Sequence, residues 1–373
     1  MDQPPVNGER SRRRVTIRDV ARAAGVSIAT VSYVLNGRTD QVAPATRDRV
    51  AQVMRDLGFH PSVSARQLRG KRVRSLGLLI HSLVNPASTM LVRGVEHTAA
   101  AHGYSLILAD LDRMVERAVP AVDALAAGRV DGVALAVYDH REVDLAAHLA
   151  KRGLACVAFS SWPERLGIPT VGIDHDPSIA ALLDHLLALG HRRLGFLTHA
   201  FASDHALRRL DALQRAAAER GLDPPTVVHV DFPDGPSRWP EDYQLQIGRE
   251  AARQLASLPH PPTAVVASHD VLALGFMDGA RALGWRIPDD VAVVGFDDIP
   301  FSAVATPPLT TLRLPMYAIG QTLVEMLLAR LAGETPPSRL ITPQLVVRGS
   351  TAPPGGSPEA PWRSAPEPAP SKT

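Results

Sequence analysis

The feature that most constrains the fold is a regular alternation of short apolar runs with longer helical stretches, which fills most of the chain beyond residue 75. Runs such as LGLLI (76–80), GVALAV (132–137) and VAVVGF (291–296) show little alternation between apolar and polar residues. Strands of this composition are covered on both faces, which is typical of parallel sheets flanked by helices. The sequence therefore predicts an α/β core of doubly wound parallel sheets.

The alternation runs through two successive cycles, so the core is expected to consist of two lobes of similar topology. The first cycle ends at ACVAF (155–159), and the second begins after VGI (171–173). A final helix, about 316–331, and one strand, about 340–348, are expected to return the chain toward both lobes. The helices expected inside the two cycles cover about 87–102, 113–127, 142–152, 177–189, 204–220, 242–257 and 270–284.

Ahead of this core, residues 17–36 read IRDVARAAGVSIATVSYVLN, a pattern of two short helices that cross closely. Ala21 is small where the second helix packs, and Gly25 can adopt the backbone angles of the turn at little steric cost. Val31 points back toward the first helix, and a third helix is expected over 44–58. The segment predicts an all-α helix-turn-helix head with its own small core.

The second helix of this head is expected to lie in a DNA major groove with its N-terminal residues toward the bases. Its hydroxyl and amide groups suit phosphate oxygens, whereas Ile28, Ala29 and Tyr33 are placed to touch base edges. Two helices of an ordinary bundle would show similar apolar spacing and are the alternative interpretation. The residues of the head expected to contact DNA are Thr16, Ser27, Ile28, Ala29, Thr30, Ser32, Tyr33 and Asn36.

The distribution of charge favours DNA binding. The whole chain has a net charge of +2, but residues 1–72 carry 14 Lys and Arg against 6 Asp and Glu, whereas the remainder carries 26 against 32. A basic head joined to an acidic body is typical of a nucleic-acid reader attached to a different module.

Several motifs together resemble the lactose-repressor (LacI/GalR) family of bacterial transcription regulators. They are TIRDVARAAGVSIATVSYVLNG, TRDRVAQVMRDLGFHPSVSARQLRGKR, LLALGHRRLGFLT, ASHDVLALG, VVGFDD and PPLTTLR, in the family's order over residues 15–350. The resemblance implies a dimeric DNA-binding repressor. It also implies a core like the periplasmic sugar-binding proteins, with three crossovers between the lobes and a small effector in the cleft.

Between head and core, residues 61–70 (PSVSARQLRG) have the composition of a very short helix, which is well below the length at which isolated helices are stable. By resemblance this is the family's hinge helix, which pairs with its twin in a dimer and inserts a leucine into the minor groove. Ala65 and Leu68 occupy the matching positions. A plain linker with an incidental leucine is the alternative.

Ligands of open α/β sheets bind beyond the carboxyl ends of the strands, and the two lobes are expected to face each other there. Acids, amides and hydroxyls at these ends can hold a polyol through paired hydrogen bonds. By resemblance, Arg209 and Asp270 correspond to an arginine and an aspartate that bind effectors, and Asn85 lies in a turn that contacts them. The residues expected to bind the effector are Asn85, Ser161, Asp174, Arg209, Asp270 and Asp297.

Enzyme classes are disfavoured, since the sequence has no G-x-S-x-G, no Walker loop and no GxGxxG between a strand and a helix. The acids and histidines at 174–176 and 269–270 diverge from a turn or a helix start, so no metal and no cofactor are expected. A solute-binding protein without regulatory DNA binding is the alternative function. The helix-turn-helix and the lack of an apolar signal region argue against it.

The sequence thus predicts a homodimeric repressor that binds a pseudo-palindromic double-stranded operator and responds to a sugar-like effector. An inducer and a corepressor would need the same cleft. A single cysteine and the lack of any apolar run of ~18 residues favour a cytoplasmic protein without membrane contact. The expected segments are a disordered basic arm 1–14, the helix-turn-helix domain 15–60, the hinge 61–73, the core 74–352 (N-lobe about 74–172 plus 314–338, C-lobe about 173–313 plus 339–352) and a disordered Pro-rich tail 353–373.

Overall fold

The computed structural model describes residues 15–35, 38, 41–59, 72–111, 115–127, 130–137, 142–199, 203–230 and 242–355 of the chain. The chain divides into two compact units, Met1–Val73 and Arg74–Thr373. We refer to the described residues of the first unit as the head and to those of the second as the core. The head is helical and the core is a parallel-dominated α/β structure, so the predicted fold class is confirmed.

The head is a three-helix unit that closes around a small apolar cluster. Gly25 ends the first helix at φ +63°, in the left-handed region that glycine adopts without steric cost. Val20, Val31 and Val50, one from each helix, are completely buried at the centre of this cluster. The three helices are α1 (Ile17–Ala24), α2 (Ile28–Leu35) and α3 (Pro44–Asp56).

The first lobe of the core surrounds a sheet of six strands. Its last helix and its last strand arrive from the far end of the chain. The elements are β1 (Ser75–Ile80), α4 (Pro86–Ala101), β2 (Ser105–Asp110), α5 (Ala118–Ala126), β3 (Gly132–Ala136), α6 (Glu142–Lys151), β4 (Ala155–Ser160), β5 (Thr170–Ile173), α12 (Met316–Leu331) and β11 (Arg339–Ile341).

The second lobe repeats this plan around a second sheet of six strands, and it adds one short helix that the sequence pattern did not predict, α11. The elements are α7 (His175–Ala188), β6 (Leu194–His199), α8 (Asp204–Glu219), β7 (Thr226–Val230), α9 (Tyr243–Ala256), β8 (Ala264–Ala267), α10 (Asp270–Ala282), β9 (Ala292–Asp297), α11 (Pro300–Val304), β10 (Thr310–Arg313) and β12 (Gln344–Val346).

The two sheets share one strand order, which fixes where a ligand can bind. The first sheet runs β11-β5-β4-β3-β1-β2 and the second runs β12-β10-β9-β8-β6-β7. In each sheet the direction of winding reverses at the strand that begins the lobe, β1 or β6. Doubly wound sheets bind ligands beyond the carboxyl ends of their strands at such a reversal.

The chain passes between the lobes after β5, after β10 and between β11 and β12. The prediction of one strand over about 340–348 is wrong, because the segment forms two short strands in different sheets. The first, β11, is parallel to β5, whereas β12 is antiparallel to β10. Pro343 lies between them and has no N–H to donate to a strand ladder, so the pairing breaks there and the chain changes sheet.

Helices α4 and α12 pack backbone against backbone in the first lobe. The contact is at Gly94 and Gly320, where a Cβ on either residue would collide with the backbone of the other helix. This close contact holds together two helices whose first turns reach the cleft between the lobes. Within the described ranges, no helix combines the length and the apolarity that crossing a membrane requires.

Candidate functional site

A cavity lies between the two lobes, beyond the carboxyl ends of β1, β6, β8 and β9. Its volume is about 90 Å³, which is smaller than the about 300–1,000 Å³ that is typical of small-molecule sites. A ligand of ordinary size therefore needs more room than this arrangement of the cavity provides. The polar part of the lining consists of His81, Ser82, Asn85, Ser88, His199, Ser203, His205, Arg209, Tyr243, Gln244, Ser268, His269 and Asp297.

A hydrogen bond across this cavity joins the first lobe to the second. Asn85 caps α4, because its Oδ1 accepts a hydrogen bond from the Ala87 backbone N–H at 3.0 Å. Its Nδ2 donates to Asp297 Oδ2, at the end of β9, over 3.0 Å. Burial raises the pKa of Asp297, although Arg209 and Asn85 favour its charged form. One amide thus connects the start of α4 with the far side of the cavity.

Arg209 on α8 places a buried positive charge on the cavity wall. Its Nη2 lies 3.6 Å from Asp297 Oδ1, and its Nη1 donates to the Ser268 carbonyl oxygen. The guanidinium carbon also lies 3.6 Å from the centroid of the Phe296 ring. Because the residue is only 6% exposed, water screens this charge weakly, and it can act strongly on a ligand.

A second contact between the lobes involves a hydroxyl and two imidazoles. Ser161 follows β4, and its Oγ contacts Nδ1 of His205 on α8. The same Oγ lies 3.4 Å from Nε2 of His175, the first residue of α7. Burial and the charge of Arg209 lower the pKa of both histidines well below its ordinary value. Two neutral rings can share one hydroxyl, because one ring accepts its proton while the other donates to its oxygen.

A third contact lies beside the second one. The Trp162 ring contacts two guanidinium groups, with Arg165 at 4.0 Å and Arg208 of α8 at 4.6 Å from its ring centroid. Cation–π pairs of this kind contribute about 0.5–1 kcal/mol at exposed sites. We call three contacts the interlobe bridges: Asn85–Asp297, Ser161–His205 and Trp162–Arg208.

Three of the six residues expected to bind the effector meet on the cavity wall, namely Asn85, Arg209 and Asp297. Ser161 lies directly behind the wall, against His205. Asp174 does not line the cavity. It precedes α7 at the first crossover, where its backbone N–H donates to the Ile341 carbonyl oxygen at 2.9 Å.

Asp270 also lies behind the wall and is completely buried. Its Oδ2 accepts hydrogen bonds from the Ile299 N–H at 2.9 Å and the Ser302 hydroxyl at 2.6 Å. Its Oδ1 accepts one from the Thr311 hydroxyl at 2.6 Å. Burial and the neighbouring charge of Asp297 raise the pKa of Asp270 to about 7. The carboxyl group therefore fastens α10 to α11 and β10, and the cavity does not reach it.

The effector set expected from the sequence omitted the histidines that line the cavity. His205 lies four residues before Arg209 on α8, so the helical spacing was a usable signal. His269 is the N-cap of α10, and its Nδ1 accepts a hydrogen bond from the Leu272 N–H at 3.1 Å. In the part of the chain that the structure describes, no three His, Cys, Asp or Glu side chains are arranged to hold a metal ion.

Two further polar atoms at the cavity have no hydrogen-bond partner among the described residues, namely Ser268 Oγ and Gln244 Oε1. Ser268 follows β8 and is 1% exposed, while Gln244 lies in the first turn of α9 and is 7% exposed. The Gln244 amide nitrogen donates to the Tyr243 hydroxyl at 3.0 Å. Because buried polar atoms rarely lack a partner, both are suited to bind a ligand. No sequence pattern marks them, since only the fold brings them together.

In the head, α2 presents a capped and exposed first turn. The Ser27 Oγ accepts a hydrogen bond from the Thr30 N–H at 3.0 Å. Ile28 and Ala29 are exposed, whereas Val31 on the opposite side is completely buried. The residues expected to read base edges therefore lie on the solvent side of the helix, and their presentation depends on the cluster beneath them.

The remaining residues expected to contact DNA are distributed as follows. Thr16 precedes α1, and its backbone N–H donates to the Asp19 carboxylate at 2.9 Å. Ser32 and Tyr33 are partly exposed on α2. Three further candidates lie outside the described residues: Asn36, Ala65 and Leu68.

The chain is similar to known regulators over nearly its whole length. Residues 16–62 match the family described as bacterial regulatory proteins, lacI family, and residues 183–351 match a periplasmic binding protein-like domain. The HTH-type transcriptional repressor CytR of Escherichia coli (strain K12) is 31% identical over 340 residues, which cover 90% of this chain and 96% of CytR.

Solved structures of regulators are also similar to the chain. A crystal structure of the lac repressor dimer bound to operator and the anti-inducer ONPF has a TM-score of 0.78 and 28% identity, and the match covers 91% of this chain and all of that one. A complex of the transcriptional regulator CelR with cellobiose has a TM-score of 0.63 and 27% identity, and the match covers 90% of this chain and all of that one.

Proposed function

The chain belongs to the lacI family of bacterial regulatory proteins, and on this premise we propose that it is a dimeric repressor whose operator binding is controlled by a sugar or sugar derivative. It is a DNA-binding transcriptional regulator with a ligand-binding core and not an enzyme, because its relatives are transcriptional repressors. LacI-type repressors bind operator DNA and small effectors, and they form dimers. A regulator of this kind works in the cytoplasm, where it meets the chromosome.

The observation that carries the proposal is the cavity between the lobes, with wall residues from both and a hydrogen bond from Asn85 to Asp297 across it. A ligand that enters there interacts differently with closed and parted lobes, so it shifts the balance between the two arrangements. In a dimer, that balance sets the spacing of the two hinge segments and hence the fit to an operator.

The contacts around the cavity support a division of roles among the expected effector residues. Asn85, Arg209 and Asp297 touch the effector. Ser161 acts through His205, against which it packs. Two residues position the scaffold without touching the ligand: Asp174 at the crossover and Asp270 beneath the wall.

For DNA we propose that α2 enters the major groove of each half-site, with Ile28, Ala29 and Tyr33 toward the bases. The exposure of Ile28, at 44%, and of Ala29 supports this orientation. Two heads related by a two-fold axis imply a pseudo-palindromic operator. Contacts to phosphates are assigned to Thr16, Ser27, Thr30, Ser32 and Asn36, and contacts in the minor groove to Ala65 and Leu68.

A sugar or sugar derivative suits the polar side chains of the cavity. Amide, carboxylate, guanidinium and hydroxyl groups converge there with the ring of Phe159 and the side chain of Met316. Hydroxyl-rich ligands need such paired donors and acceptors together with an apolar surface. CelR, a relative that was crystallised with cellobiose, binds a ligand of this class.

The test measures operator binding by the full-length protein and its response to ligands. Duplexes selected from a random pool should be pseudo-palindromic. For 6–10 phosphate contacts, affinity should fall about 10³- to 10⁵-fold between about 50 and 200 mM salt. A compound that raises the melting temperature should also change operator affinity. A protein that binds a sugar but shows no salt-dependent affinity for any duplex would be a solute-binding protein instead.

The Arg209→Ala variant separates the two activities. We expect it to retain operator affinity while its response to the effector falls by at least tenfold, because the cavity loses its buried cation. Arg281→Ala, which removes an exposed arginine of α10 outside the cavity, is the matched control. A full ligand response in the Arg209→Ala protein would show that the effector binds elsewhere.

A further inference from the structure

Among the described residues that line it, the cavity has many nitrogen-bearing side chains and few carboxylates. Asp297 is the only acid among these described residues. Its Oδ2 accepts a hydrogen bond from Asn85, and its Oδ1 lies beside Arg209. Four imidazoles line the same cavity, and they belong to His81, His199, His205 and His269. A wall of this kind fits a ligand that brings hydrogen-bond acceptors, and therefore an anion better than a neutral polyol.

Two of the nitrogen-bearing side chains lie side by side at the start of α8. His205 and Arg209 are four residues apart on this helix, so they lie on the same face, and both are buried at the cavity. The helix begins at Asp204, with Ser203 as its cap. The N-terminal end of a helix carries a partial positive charge, which adds to that of the guanidinium. Arg209 and this helix end therefore place positive charge beside His205, and the carboxylates of Asp204 and Asp297 partly offset it.

The surroundings of each imidazole indicate which one can take up a proton. In His269, Nδ1 already accepts a hydrogen bond from the Leu272 N–H, so a proton on this atom would break the cap of α10. In His205, Nδ1 contacts the Ser161 hydroxyl. That hydroxyl can accept from a protonated His205 and donate onward to His175 Nε2, which lies 3.4 Å away. A charged form of His205 is thus compatible with its neighbours.

The two buried polar atoms without partners indicate the rest of the ligand. Gln244 Oε1 can only accept, so it requires a donor such as a hydroxyl group, while Ser268 Oγ can do either. Both line the same cavity as Arg209. A ligand that satisfies them therefore carries hydroxyl groups in addition to an acidic group.

We propose that the effector is a hydroxylated small acid whose anionic group lies between Arg209 and His205, and that His205 takes up one proton when it binds. The proposal rests on the proposed function and names the chemical class of its effector. A carboxylate and a phosphate share the chemistry that this site recognises.

The direction of the pH dependence follows from the groups around His205. In the ligand-free cavity, burial and the charge of Arg209 hold its pKa well below the ordinary value, with smaller effects of His175 and His81. A bound anion opposes the effect of Arg209 and raises that pKa. Affinity should therefore rise as pH falls, by up to about tenfold per pH unit when one proton is taken up. The charged and titratable groups around this cluster belong to His81, His175, His199, Asp204, Arg208, Arg209, Tyr243, His269 and Asp297.

The test uses the full-length protein and matched pairs of probes. Gluconate is compared with glucitol, and galactarate with galactitol, to represent carboxylates. Glucose 6-phosphate is compared with glucose, and ribose 5-phosphate with ribose, to represent phosphates. Melting temperature, operator release and binding heat are measured at about pH 6 and about pH 8, a range that spans the ordinary titration of histidine. The binding heat is repeated in buffers of different ionisation enthalpy, which reports proton uptake directly.

We expect at least one acid to bind tenfold or more tightly than its neutral partner, with tighter binding at the lower pH and uptake of close to one proton. In the His205→Gln protein, whose amide can still bond to Ser161, proton uptake should disappear. In the His260→Gln protein, which loses an exposed imidazole outside the cavity, it should persist. The carboxylate and phosphate pairs identify which acid the site accepts.

Three results would overturn the inference. They are a panel in which every neutral probe binds as well as its acid, a preferred acid that binds without proton uptake, and a panel in which no acid raises the melting temperature. A neutral probe that releases the operator would end the acid proposal and leave the ligand-responsive repressor intact. Loss of operator binding by the wild-type protein under all conditions would instead contradict the proposed function.

Discussion

The head and the cavity position their candidate functional side chains in opposite ways. In the head, the exposed residues Ile28 and Ala29 follow directly on their cap, Ser27, so the local rules of one helix place them. In the cavity, Asn85 and Asp297 meet although 212 positions separate them in the sequence. Local order thus determines the proposed DNA-reading surface, whereas the proposed effector site depends on the topology of two sheets. Damage to one region should therefore leave the other intact.

The largest expected effect is a loss of operator binding when the apolar cluster of the head is broken. Val31 is completely buried in a cluster that contains few other buried side chains. In the Val31→Asp variant an uncompensated charge would be buried, which costs several kcal/mol or unfolds so small a unit. We expect operator affinity to fall more than about 100-fold, while the melting transition of the core and its binding of effector remain. Gel shift and calorimetry measure the two properties.

Ala45→Asp is the matched control, because it adds the same charge at an exposed position in the first turn of α3. An acid in the first turn of a helix is favourable, so the head should stay folded. If Val31→Asp also abolished effector binding, the independence of the two regions would be refuted.

Within the core, the next largest effect is expected at Asp270, where a substitution should change the pH dependence of stability. Burial raises its folded-state pKa to about 7, above the unfolded value of about 3.9. The folded state therefore binds the proton more tightly, and stability from this group is present below about pH 4 and lost as pH rises through about 7. Relative to the Asp270→Asn variant, the free energy of unfolding of the wild-type core should fall by up to about 4 kcal/mol over that pH range. Urea unfolding at several pH values measures this difference.

Asp290 supplies a control of opposite sign. Its hydrogen bonds with Arg286 lower its pKa, so the stability it contributes is present at neutral pH and lost on acidification. Asp290→Asn should therefore reduce stability at neutral pH more than in acid. If Asp270→Asn followed the same trend as Asp290→Asn, Asp270 would be a charged carboxylate at neutral pH.

The two aspartates Asp270 and Asp297 show what the sequence could and could not predict. Both follow apolar strands, and strand periodicity correctly put them at the carboxyl edges of the second sheet. The packing of α11 and β10 decides that Asp270 is enclosed, because Ile299, Ser302 and Thr311 bond to it. That helix spans only five residues and produces no periodic pattern. Residue type and strand position therefore predict an edge, and long-range contacts decide which side chains reach the cavity.

The histidines of the cavity show the same limit of prediction from the sequence. The sequence places His199 and His269 at strand ends, yet nothing local distinguishes them from solvent-exposed histidines. Their proposed role depends on the cation at Arg209 and on the facing lobe, which lies far away in the sequence. The head shows no such limit, since α1, α2 and α3 lie close to the positions that capping residues and apolar spacing predict.

A smaller effect is expected at the interlobe bridge of Asn85, which acts both on its own helix and across the cavity. Asn85→Ala removes the cap of α4 and the bond to Asp297, which together should lower stability by about 1–2 kcal/mol. Asn85→Ser can keep a cap but is too short to reach Asp297. We expect the serine variant to retain most of the stability and still show an altered midpoint for the effector response.

The two midpoints, from ligand titrations of operator release, are compared with the two unfolding free energies. An unchanged effector midpoint in both variants would show that this bridge contributes only to the helix cap. A midpoint that changes in both variants, with stability lost only in the alanine variant, would assign the response to the bond across the cavity.

The smallest effect is expected at Ser27, which precedes α2 in the head. Ser27→Ala removes the oxygen that caps α2 and should destabilise the head by about 1 kcal/mol. Ser27→Asn keeps a neutral cap, and Ser27→Asp keeps a cap but adds a negative charge beside the DNA phosphates.

If Ser27 acts through helix stability, alanine alone reduces the melting temperature of the head. If it also faces phosphate, aspartate weakens operator binding at unchanged stability, and this loss shrinks as salt screens the charge. Equal operator affinity in the aspartate and asparagine variants would place Ser27 away from the DNA, and the reading surface would then begin at Ile28.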